Sequence, residues 1–142
     1  MSELFRVRVV VRGYELDTLG HLNQGVYHLY AEHARWELSR AAGITQDVFI
    51  ESGAGPVYLE NTIKFRNELR GGDEVDISCE FIWGEKKTFE VRQEITRADG
   101  VLAAELTSTA GVIDLKKRKL VDDPAAHFRK LATKPELLGL TG

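Results

Sequence analysis

Cysteine occurs once in this 142-residue chain, at Cys79, so there is no intramolecular disulfide framework and no thiolate metal cluster. Long apolar runs are missing as well, and nothing approaches the ~20 consecutive apolar residues of a membrane-spanning helix. The N-terminal stretch MSELFRVRVVVRGYELD alternates charge with hydrophobe, where a secretory leader needs a continuous apolar segment. The cytoplasm is therefore the default location. Neither sign of charge dominates: the formal net charge is −3 and both signs are interspersed, which argues against a protein built to grip nucleic-acid phosphates. There are no repeats and no low-complexity tracts. No serine sits in a G-x-S-x-G setting and no P-loop occurs. The glycine-rich GAGPVY at Gly53 leads into a strand, so it does not serve as a dinucleotide fingerprint.

What is present reads as one soluble domain over residues 1–142, with 43% hydrophobic and 29% charged residues and enough length to bury a core. Val7, Val9 and Val11 alternate with Arg6, Arg8 and Arg12, the period of a half-buried strand. A polar loop follows, and then Val26, Tyr30, Ala34, Leu38 and Ala41 recur at helical spacing. Tyr27, Ala31 and Ala42 widen that apolar face beyond what a surface helix needs. Asn23 is placed to cap this helix and Gly43 to terminate it, giving a helix over about residues 23–42. One or two small turns are expected from Gln46 to Glu51, ahead of the breaker SGAGP.

From Val57 the period becomes two. Val57, Leu59, Ile63 and Phe65 define one strand face; Val75, Ile77, Cys79, Phe81 and Trp83 a second; Phe89, Val91, Gln93 and Ile95 a third. A final strand runs from Val101 to about Leu115. NELRGGDE, GEKK and ADG supply the turns, so the last three strands form an antiparallel meander. Beyond KKRK, Asp123 and Pro124 are an N-cap and N1 pair heading a short helix. No second long helix exists to cover the first, so the sheet must do so. The expected architecture is α+β: a curved five-stranded antiparallel sheet wrapped around a long central helix.

The candidate chemistry lies in DTLGHLNQGVY, from Asp17 to Tyr27. Asp17 stands just before a helix whose free amides point back towards it, and such amides stabilise negative charge. A carboxylate beside them suits acyl transfer, in which the carboxylate attacks or activates water while amides hold the oxyanion. On the residues alone, an Asp that merely caps a turn is the commoner reading, because Asp before a helix is common. Cys79 falls on an apolar strand face, the setting of an inert buried thiol. His28 and His33 are five apart, about 140° around a helix, and cannot chelate one metal as an i, i+4 pair would. With His127 they read as surface or packing residues, and no metal site is expected.

The stretch VRGYELDTLGHLNQGVYHLYAEHARWEL resembles the signature of the hotdog thioesterases of the hydroxybenzoyl-coenzyme A thioesterase family, most of all the FadM-like long-chain acyl-CoA thioesterases. The pattern D-x-x-G-H-x-N-x-x-x-Y followed by E-x-A-R is met without a gap by Asp17, Gly20, His21, Asn23, Tyr27, Glu32, Ala34 and Arg35. The resemblance implies hydrolysis of an acyl-CoA or acyl-carrier-protein thioester without a cofactor. Asp17 would be nucleophile or general base, and a main-chain amide of Gln24 or Gly25 the oxyanion donor. Gln24 stands where many members have a second asparagine or a histidine, a change that leaves a main-chain donor intact.

The expected substrate-contacting set is His21, Asn23, Tyr27, Lys64 and Arg66, with His21 and Asn23 ordering the loop and helix start rather than doing chemistry. Arg70 and the KKRK run from Lys116 are further candidates for coenzyme A phosphates near the cleft mouth. A homodimer or homotetramer with an interfacial site is implied, and no nucleic-acid or membrane partner. A sister group carries its carboxylate inside the central helix, which would point to Glu32 or Glu37. Their spacing to Arg35 and Arg40 reads instead as ordinary helix ion pairs. A hotdog hydratase and a non-catalytic acyl-CoA binder are the other readings.

Overall fold

The computed structural model describes residues 4–141. Its strands are β1 (Phe5–Val10), β2 (Ala54–Phe65), β3 (Glu74–Ile82), β4 (Thr88–Arg97), β5 (Leu102–Asp114) and β6 (Lys119–Leu120). Its helices are α1 (Gln24–Ala41), α2 (Gln46–Ser52) and α3 (Pro124–Leu131), with 3₁₀ turns at Gly13–Glu15 and Pro135–Leu138. The strands form one antiparallel sheet in the order β1-β3-β4-β5-β2, so β3, β4 and β5 are the expected meander and the two earliest strands take the edges. α1 packs across this sheet, touching β3 and β1. This is the hotdog architecture.

The inward positions explain the packing. Tyr27, Tyr30, Ala31, Ala34, Leu38 and Ala42 of the helix are buried against Val75, Ile77, Cys79, Val91 and Ile95 of the sheet layer. At the far end Phe81, Trp83 and Phe89 surround Phe128 of α3, in tilted and edge-on aromatic contacts. The helix ends as its sequence requires. Asn23 Oδ1 accepts the Gly25 amide at 2.9 Å, and Gly43 takes φ +94° just beyond Ala42.

Four expectations are corrected. The sheet has six strands rather than five, because the KKRK run is the tip of a hairpin that returns as β6, pairing Leu120 with Ile113. SGAGP is not a break between elements: Gly53, at φ +78°, ends α2 and β2 starts at the next residue. Pro56 is tolerated there because β2 is an edge strand. The expected inward face of β2 is also only half right. A bulge between Tyr58 and Glu60 shifts the register, so Tyr58 turns in beneath Arg35 while Leu59 is 54% exposed. Finally, Ala41 lies exposed on α1 rather than in its buried row.

Candidate active site

The loop between β1 and α1 is held by its own polar groups. Asp17 N donates to His21 O at 2.7 Å, and Gly20 N to Asp17 O at 3.1 Å. Gly20 sits at φ +80°, a conformation that Gly adopts without the Cβ penalty. Glu15, in the 3₁₀ turn before it, accepts the Arg12 amide at 2.9 Å and the Tyr30 hydroxyl of α1 at 2.6 Å. Its carbonyl accepts Asn23 N at 2.9 Å, which fixes the distance between the turn and the start of α1. On the other side, Leu22 N donates to Leu69 O at 2.7 Å, stitching the loop to the β2–β3 connection.

Within this frame Asp17 Oδ1 accepts two main-chain amides, from Leu19 at 2.8 Å and His21 at 3.1 Å. These bonds, His21's first and then Leu19's, hold the carboxyl below the usual aspartate range, so it is ionised at neutral pH. Both bonds use one oxygen, and Oδ2 makes no hydrogen bond among the described residues. Asp17, His21, Leu22, Asn23, Gln24 and Tyr27 line one wall of an open cleft of about 460 Å³. Phe65, Arg66, Asn67 and Glu68 line the other. Tyr27 meets Phe65 edge-on across it, with ring centroids 5.0 Å apart.

Of the two candidate oxyanion donors, the structure separates one from the other. The Gly25 amide is occupied by the Asn23 cap. Val26 N is taken by Asn23 O at 2.9 Å. The Gln24 amide has no partner among the described residues, so it is the open donor at this helix end. Asn23 is thus the cap, and His21 is turned by Glu68, with Nε2 2.8 Å from its carboxylate.

The basic candidates divide. Arg66 lines the cleft but is paired with Glu105 at 2.8 Å, and Arg70 with Glu68 at 3.0 Å. Lys64 is exposed on β2 and does not line the cleft; Phe65, beside it, does. The KKRK hairpin is nowhere near this cleft in one chain, because Asp114 pairs with Ala54 at the opposite end of β2 from Phe65. Glu68 and Asn67 were not singled out from the sequence, and Phe65 was read only as a strand-face residue. NELRGG reads as a turn, and the pairing of Leu22 with Leu69 and of His21 with Arg70 brings it against the loop.

A second cleft of about 300 Å³ lies further along α1, lined mostly by apolar side chains of Trp36, Phe49, Ile50, Pro56 and Tyr58, with Glu32 and Arg35. Glu37 and Arg40 form the expected helix ion pair at 2.8 Å. Glu32 and Arg35, at the same spacing, do not. Arg35 turns inward instead, over the Tyr58 ring at 4.0 Å and onto Gln93 Oε1 at 3.2 Å. Cys79 is buried and its thiol is pushed up to about 12 by that burial, so it is no nucleophile. Among the described residues no cluster of metal-ligating side chains occurs, and no helix is long and apolar enough to cross a membrane.

Comparison with known proteins bears on the family and the fold. The chain is 42% identical over 73 residues to the chloroplastic acyl-acyl carrier protein thioesterase ATL3 of Arabidopsis thaliana, a match that covers 51% of this chain and 38% of that protein. It therefore spans well under half the length of that relative. The solved structure of YbaW, a probable thioesterase from Escherichia coli, superposes with a TM-score of 0.76 at 25% identity, over 84% of this chain and 90% of the other. Slr0204, a 1,4-dihydroxy-2-naphthoyl-CoA thioesterase from Synechocystis, shares the fold with a TM-score of 0.77 at 17% identity, over 84% and 89% of the two chains. A model of the thioesterase-like superfamily matches residues 11–135, and with the hotdog sheet and the gapless loop motif this places the chain in that superfamily.

Proposed function

We propose that this protein hydrolyses an acyl thioester of coenzyme A or of an acyl carrier protein to a free acid and a thiol. The observation that carries the reading is that an ionised carboxylate with a free oxygen, Asp17, shares a cleft with an open amide of the helix start, Gln24 N. The thioester carbonyl sits between them. Asp17 either attacks the carbonyl carbon directly or takes a proton from an attacking water. The oxyanion that forms is held by the Gln24 amide and the positive end of α1. Collapse breaks the C–S bond, and the thiolate leaves and takes up a proton. In the direct route, water then cleaves the acyl-aspartyl anhydride.

His21, Asn23 and Tyr27 have supporting parts in this scheme. Asn23 caps the helix, His21 is braced by Glu68, and Tyr27, edge-on to Phe65 across the cleft, gives the reacting carbonyl an apolar neighbour. Arg66 contacts substrate from the other side of the cleft once it exchanges Glu105 for a phosphate. A panel of acyl-CoA and acyl-carrier-protein thioesters, read by thiol release, tests the proposal. Turnover of at least one series is expected. Tight acyl-CoA binding without thiol release would make the protein a binder, and addition of water to an enoyl thioester would make it a hydratase.

A further inference from the structure

Arg35 is a cation that the thioesterase scheme leaves unused. It lines the second cleft on α1, roughly 16 Å beyond Gln24 at 1.5 Å per helical residue and on nearly the same side of the helix. Its Nη1 donates to Gln93 Oε1 at 3.2 Å, and its guanidinium stands 4.0 Å over the Tyr58 ring. Gln93 is itself fixed, because its Nε2 donates to Ala31 O at 2.9 Å and to Ser78 O at 3.3 Å. The guanidinium is therefore held in place by neutral groups.

No counter-charge accompanies it. Arg8, Arg66, Arg70, Arg92 and Arg97 each meet a carboxylate, whereas half-buried Arg35 forms no ion pair among the described residues. Burial raises the pKa of the Tyr58 hydroxyl and of the Cys79 thiol, so both neighbours are uncharged at neutral pH. Glu32, one turn back, is exposed at the rim of the cleft and solvated rather than paired. Charges drawn out of water are ordinarily paired, and Arg35 departs from that rule.

The rest of the cleft defines what would pair with it. Trp36, Phe49, Ile50, Pro56 and Tyr58 give apolar walls to a space of about 300 Å³, the small end of the range for ligand pockets. Ser39, one turn beyond Arg35, is 7% exposed and lines the same space. Among the described residues every fully buried side-chain polar atom has a partner, and Ser39 Oγ has none, so its hydroxyl opens on the cleft. Side chains four apart on a helix stand ~5–6 Å from each other, so one carboxylate can span both donors. Gln46 adds an amide at the rim. Donors outnumber acceptors, which suits a group that only accepts.

We infer that the second cleft on α1 binds a monocarboxylic acid with an apolar body of medium size, its carboxylate on Arg35 and Ser39 and its chain against Trp36 and Ile50. This site is separate from the Asp17 cleft and stands whether or not the chain cleaves thioesters.

The test is binding to the whole chain, read by calorimetry with octanoate and with octanamide, its uncharged counterpart. Octanoate is expected to bind about ten-fold more tightly, the worth of one hydrogen bond to a charged group. Arg35→Gln should remove that preference, and Ser39→Ala should weaken octanoate roughly three-fold. Glu32→Gln takes a negative charge off the rim and should tighten octanoate binding. Asp17→Asn should leave it unchanged, because Asp17 lines the other cleft. Equal binding of the two probes to the unaltered protein would overturn the proposal. So would a preference that survives Arg35→Gln, or octanoate binding that weakens on Glu32→Gln. Should Arg35→Gln fail to fold, the probe comparison and Glu32→Gln decide without it. Octanoate binding that tightens on Asp17→Asn would put the acid in the Asp17 cleft and overturn the proposal as well. None of these measurements uses turnover, so failure of the thioesterase reading leaves the test intact.

Discussion

At the scale of single residues, the site depends on which polar atoms are already taken. Asp17 Oδ1 and the Gly25 amide are occupied; Asp17 Oδ2 and the Gln24 amide are open. That division was out of reach of the sequence, where Gln24 and Gly25 are equivalent neighbours of a capping asparagine, and it appears only once the Asn23 rotamer is known. Asp17 itself was legible, because a gapless motif and a helix start both point to it. Gln24→Pro isolates the amide. Proline is favoured at the first helical position, and Asn23 already has the extended backbone that a following proline requires. Near-normal thermal unfolding is expected, with kcat down roughly 10²–10³-fold from loss of one oxyanion donor, while Gln24→Ala stays close to wild type. The pH profile follows from Asp17. Its carboxyl is held below the ordinary aspartate range, so the active anion persists as pH falls until that lowered pKa is crossed. The acid limb of kcat/KM is expected below the usual carboxylate range, and a limb at or above that range would contradict the assignment of this anion.

At the scale of elements, periodicity located α1 and the meander because their inward rows are long and uninterrupted. It failed where a local irregularity reset the pattern. The bulge at Tyr58 exchanges which residues of β2 face the helix, and a single extra residue leaves no trace in an alternating sequence. β6 was missed because two residues carry too little pattern, and the 3₁₀ turn at Pro135–Leu138 because it is fixed by tertiary contact, through Trp83 Nε1 donating to Leu138 O at 2.7 Å. The end of α1 was legible from Gly43 alone. The carbonyl of Ala42 there accepts Thr133 N at 2.9 Å and Lys134 N at 3.0 Å. Gly43 stands at φ +94° with the Thr133 side chain against the space a Cβ would fill. Gly43→Ala is therefore expected to cost about 2 kcal/mol in chemical denaturation, from left-handed strain together with the clash. A loss under about 0.5 kcal/mol would mean that the helix end relaxes freely.

At the scale of the molecule, a sheet wrapped on one helix leaves the outer side of edge strand β2 unpaired among the described residues. The basic run at Lys116 was read from the sequence as a candidate for the cleft mouth, and chain connectivity puts it at the far end of β2 from Phe65. The central claim remains that Asp17 performs the chemistry. It is tested most directly by thiol release from acyl-CoA with Asp17→Asn beside Glu32→Gln. Asparagine keeps an oxygen to accept the Leu19 and His21 amides, so the loop and substrate binding should survive. Turnover is expected to fall roughly 10²–10⁴-fold, with Glu32→Gln far milder. An Asp17→Asn protein that keeps most of its activity, beside a Glu32→Gln protein that loses it, would contradict the claim and move the site to the second cleft on α1.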